Sequence, residues 1–103
     1  MKFEGLKFGE MRGYDPYTTS DGKTYDPIQS VVMLPNGLEV SIVKHGESAG
    51  SILDAFEMSA YRYGTVIEPP DWDGRESKGW LRPEDVEEEL KYLASLEVEK
   101  HFI

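Results

Sequence analysis

The chain has 103 residues, no cysteine and a formal net charge of −9, with 39% hydrophobic and 30% charged residues. That length supports one modest core, the apolar content argues against wholesale disorder, and the missing cysteines exclude disulfides, thiolate nucleophiles and cysteine metal sites. Residues 1–51 carry 5 basic and 7 acidic side chains and residues 52–103 carry 6 and 13. Phosphate backbones repel such a chain, so a basic protein surface is the expected partner and direct nucleic-acid binding is not. No apolar run reaches the length of a membrane span, and the opening Met1 to Leu6 lacks a signal-peptide core, so a cytoplasmic location is expected.

In chain order, residues 1–13 alternate loosely through Phe3, Leu6, Phe8 and Met11 and read as a short, irregular strand. Residues 14–27 turn to Tyr, Thr, Ser, Asp, Gly and Pro, with Tyr-Asp-Pro at 14–16 and again at 25–27. Proline fixes φ and aspartate bonds nearby backbone, so this segment reads as a loop turning at Asp21-Gly22. The strongest strand signal spans residues 29–44. Two apolar stretches flank Pro35-Asn36-Gly37, and Val40 and Ile42 alternate with Glu39, Ser41 and Val43, which predicts a β-hairpin with one buried face.

His45 to Ser51 reads as a connection. Residues 52–64 fit two periods: Ile52, Phe56, Ala60 and Tyr63 as a helix face, or Phe56, Met58 and Ala60 as a strand. A strand over 55–63 is preferred, because two strands alone make a marginal sheet. Residues 65–79 contain Pro69-Pro70, Asp71-Trp72-Asp73-Gly74 and Lys78-Gly79, and predict a long acidic loop, after which Trp80-Leu81 re-enters the core. A helix follows over 83–96. Pro83 suits its first turn, Glu84 and Asp85 suit its positive end, and Val86, Leu90, Leu93 and Leu96 form one apolar stripe. The expected fold is therefore α+β: one domain, an antiparallel sheet of three to four strands, and a C-terminal amphipathic helix on one face.

The order of hairpin, Gly/Ser-rich connection, short aromatic strand, acidic loop and Gly79-Trp80-Leu81-Arg82-Pro83-Glu84-Asp85-Val86 resembles small accessory proteins of tailed bacteriophages and prophages. Such chains often carry Ser or Thr where this one has Arg82, which weakens the expected helix cap. The resemblance implies no activity and no catalytic residues. It implies a phage-encoded protein that acts by binding, often by inhibiting a host protein.

Chemical motifs are sparse. His45 and His101 are far apart and no serine has a nucleophile motif, so neither acyl transfer nor zinc is expected. Asp71, Asp73, Gly74 and Glu76 lack the remaining positions of a calcium loop, and no glycine-rich loop opens a helix as a phosphate site requires. No cofactor is expected, and the chain is not expected to be an enzyme.

The candidate partner-binding residues are Asp71, Trp72, Asp73 and Glu76 in the loop, with Glu84, Glu87 and Glu88 on the outward helix face. Two readings of Trp72 stay open, an anchor for a partner and a lid on the core. The competing functional class is a virion or assembly subunit that buries apolar surface in symmetric contacts.

Overall fold

The computed structural model describes residues 1–46, 48 and 50–97, and of Ile52 the backbone alone. His101 and Phe102 lie outside the described residues.

Two long strands, β4 (Ile28–Met33) and β5 (Glu39–Lys44), form the expected hairpin, and β6 (Phe56–Arg62) pairs with β5. At the β4–β5 turn, Gly37 N–H donates to the Leu34 carbonyl (2.9 Å) and Leu34 N–H to the Leu38 carbonyl (2.8 Å). Only Gly37 takes positive φ there, at 92°. Pro35 and Asn36 thus occupy the centre of an ordinary turn, and the glycine after them supplies the left-handed residue. The Asn36 amide then donates to the Leu93 and Leu96 carbonyls (2.8 and 3.2 Å), tying the turn to the end of helix α1 (Pro83–Ala94).

The strand count exceeds the expected three to four. The main sheet has six strands in the order β1-β4-β5-β6-β7, with β8 also on β6, and each ladder is antiparallel. The strand expected over residues 1–13 is reduced to the two-residue β1 (Gly9–Glu10), and the additions are β7 (Thr65–Val66) and β8 (Ser77–Leu81). Within the expected loop 14–27, β2 (Tyr17–Thr18) and β3 (Thr24–Tyr25) make a separate two-stranded ribbon. Asp21 holds its turn by accepting from the Thr19 hydroxyl and the Lys23 N–H, which keep its carboxyl below the usual range.

Residues 65–79 are likewise only partly loop. Tyr63 (φ 50°) and Gly64 (φ 78°) make a two-residue hairpin turn into β7, and Pro70–Trp72 forms a 3-10 turn before β8.

One face of the sheet carries the core. Val40, Ile42, Met58, Ala60, Val86, Leu90 and Leu93 are each essentially inaccessible and belong to one cluster. Leu6 joins it, with Phe3 edge-on and Phe8 tilted against Phe56 at ring-centroid distances of 5.3 and 5.4 Å. The helix start is secured despite Arg82, because the Asp85 carboxylate accepts the Arg82 N–H at 3.0 Å. The cap comes from the third helical residue instead of the residue before the helix.

Candidate protein-binding surface

The loop after β7 is docked on one flank of α1. Asp71 N–H donates to the Tyr92 hydroxyl (2.9 Å), and the Trp72 indole N–H donates to Glu89 Oε1 (2.8 Å). Glu89 Oε2 in turn pairs with Lys78 Nζ on β8 (2.9 Å). One helix carboxylate therefore fixes both the loop and the strand that follows it.

This docking sorts the seven residues selected from the sequence. Asp71, Asp73 and Glu76 in the loop and Glu84 and Glu88 on the helix are exposed. Trp72 is only 2% exposed and belongs to the core, so of its two readings the structure shows the lid. Glu87 is half-buried on another flank of α1, where it accepts the Phe3 N–H at 2.9 Å and holds the N-terminal segment.

The residue that sequence reasoning placed wrongly is Trp80. Expected in the core with Leu81, it is 58% exposed. The β6–β8 register explains why: Met58 pairs with Lys78 and Phe56 with Leu81, so Gly79 and Trp80 together oppose the single residue Glu57. This β-bulge shifts the alternation by one residue and turns the indole out. Trp80 sits at φ 61°, a left-handed conformation that a bulky side chain seldom adopts.

Gly50 (φ 94°) packs directly beneath it. A Cβ at Gly50 would lie 2.8 Å from the Trp80 Cα, so only glycine permits this contact. Trp80 lines an open groove of about 350 Å³ with Asp71, Asp73, Arg75 and Lys78.

A second polar cluster lies beside Phe56, which pairs with Leu81 next to Trp80. Lys44 Nζ pairs with Asp54 at 2.5 Å and lies over the rings of Phe56 and Tyr25 at 4.7 and 5.4 Å. Among the described residues the buried Tyr17 hydroxyl has no hydrogen-bond partner, and burial, followed by the charge of Asp54 and by Tyr25, pushes its pKa up to about 12.

His45 stacks near Tyr14 (4.9 Å), and the hydroxyl of the nearby Ser48 donates to the His45 backbone carbonyl (2.8 Å). Among the described residues no group of three His, Asp or Glu side chains is placed to hold a metal ion, and no helix is long and apolar enough to cross a membrane. No family model, curated protein or solved structure matches the chain.

Proposed function

We propose that the chain is a non-enzymatic binding protein whose acidic corner, built from the 71–76 loop and the outward face of α1, occupies a basic surface of another protein. The observation that carries this reading is the exposed Trp80, held in a strained conformation on the rim of the groove that Asp71 and Asp73 also line. Backbone strain on an exposed aromatic persists only where surrounding packing enforces it, and Gly50 and the bulge do so here.

Chemically the corner suits an arginine- or lysine-rich face. A guanidinium can stack on the indole while carboxylates pair its charge, and the wider acidic field speeds encounter. In this reading the chain is phage-encoded and cytoplasmic, the partner is a host protein, and the acidic surface inhibits it by imitating nucleic acid, as an anti-defence protein would. The resemblance of residues 29–96 to phage accessory proteins supports that context.

The experiment is capture of binding proteins from bacterial lysate on immobilised parent, Trp80→Ala and Asp71→Lys/Asp73→Lys/Glu88→Lys chains across a salt series. The expected result is a partner retained by the parent at low salt, released as salt rises, and lost by both variants. A partner held equally by all three, or more tightly at high salt, rejects the reading. One observation favours the second class, an assembly subunit: among the described residues no strand pairs with the outer edge of β4 at Val31 and Met33.

A further inference from the structure

We propose that the open edge of β4 pairs with β4 of a second copy of this chain, joining two six-stranded sheets into one. The inference rests on backbone direction, charge and the two-residue alternation of a strand, and not on the acidic-corner reading.

The Leu34 N–H, bonded to the Leu38 carbonyl, points toward β5, whereas the Pro27 carbonyl, accepting from the Met11 N–H (3.1 Å), points the other way. Backbone groups alternate along a strand, so Gln29, Val31 and Met33 direct their N–H and C=O away from β5. The short β1 covers this edge only at Ile28 and Gln29. Among the described residues none pairs with Val31 or Met33, and their side chains are 54% and 65% exposed.

Natural sheet edges are usually guarded by charge, proline or a bulge at such a place. This one has none. Pro27 to Leu38 is the longest run without a charged residue in a chain that is 30% charged.

Charge sets where two copies can meet. Two copies at −9 each repel wherever their acidic surfaces meet, and the uncharged β4 edge, in the half of the sequence that carries little of that charge, is where they can approach.

Geometry fits a copy as well. With a twofold axis at Val32, Val31 lies opposite Met33 of the second copy and Met33 opposite its Val31. Each pair exchanges two N–H···O bonds, so four new bonds form, and four apolar side chains gather on one face. Because the contact is isologous it closes at two copies. Both helices then lie on the same face of the joined sheet, presenting two acidic corners side by side.

The test is analytical ultracentrifugation of the full chain over a concentration and salt series, with amide exchange of Val31 and Met33 followed by NMR. The expected results are a concentration-dependent species of twice the 11.7 kDa chain mass, tighter association as salt rises, and exchange at both amides slowed ~10-fold or more in the dimer. Val31→Lys places like charges at the seam, and Val31→Pro removes an outward N–H that the β4–β5 ladder does not use. Both variants are expected to stay folded, by circular dichroism, and monomeric.

The proposal is overturned if the parent remains monomeric at its highest soluble concentration, if both folded variants dimerise like the parent, or if Val31 and Met33 are protected equally at every concentration. The last result places another part of the same chain on the edge. Because partner capture at the acidic corner weakens with salt and this contact strengthens, failure of one is distinguishable from failure of the other.

Discussion

Tyr17 is the residue whose local energetics stand furthest from ordinary. Its hydroxyl is buried without a partner, and a buried unmade hydrogen bond costs about 1–3 kcal/mol. Tyr17→Phe is therefore expected to unfold in urea at the same midpoint as the parent or a higher one at neutral pH. The titration gives a second readout with a definite sign. The folded state holds the phenol proton more tightly than the unfolded chain, with a pKa of about 12 against the ordinary 10.0. The contribution of Tyr17 is thus fully present below pH about 10 and is lost as the pH rises toward 12. The parent should lose more stability than Tyr17→Phe across that interval. Equal losses in the two chains would show that Tyr17 ionises freely in the fold. The placing of Tyr17 against Tyr25, which lies beside Lys44, and within the field of Asp54 is invisible in the sequence, because it depends on where the β2–β3 ribbon lands on the sheet.

At the scale of elements, what could be read from the sequence tracks how many residues each element spends in one period. The β4–β5 hairpin, β6 and α1 repeat their apolar pattern several times, and each appears within two residues of its expected limits. β1 falls inside the strand expected over residues 1–13, and the strands that were missed, β2, β3 and β7, have two residues each, too few to show alternation. β8 is long enough but is interrupted by its bulge, which hides the period at Gly79 and Trp80. That one irregularity also misplaced a tryptophan, since Trp80 beside Leu81 looked like core yet faces out, while Trp72, open to either reading among Pro70, Asp71 and Asp73, plugs the core. The helix energetics are the simpler part. Leu90 is 1% exposed beneath the sheet, so Leu90→Ala is expected to cost ~2–5 kcal/mol, read as a lower urea midpoint with an unchanged slope. A midpoint equal to the parent's would mean that α1 does not hold the sheet.

For the whole molecule the deciding feature is where its charge sits relative to its packing, since the second half of the chain holds most of the −9. Composition alone shows that excess but cannot separate carboxylates that build the fold from those left for a partner. Glu89 is of the first kind. It joins Trp72, Lys78 and α1 through two charge-assisted bonds, so Glu89→Ala strands a buried indole N–H as well as an unpaired lysine. Glu84 and Glu88, five and one residues before it, are exposed and have no such anchoring among the described residues. The expected outcome is a sharp contrast in thermal or urea unfolding. Glu89→Ala should lose about 1–3 kcal/mol, while Glu84→Lys/Glu88→Lys should lose no more than about 1 kcal/mol, the first-turn position of Glu84 being offset by relieved repulsion. Raised salt should narrow the gap between the parent and the charge-reversed chain but leave the Glu89→Ala deficit, because screening weakens exposed repulsion far more than a desolvated bond. If Glu84→Lys/Glu88→Lys instead unfolds as readily as Glu89→Ala, the outward carboxylates are structural, and loss of partner binding on their reversal would no longer locate an interface.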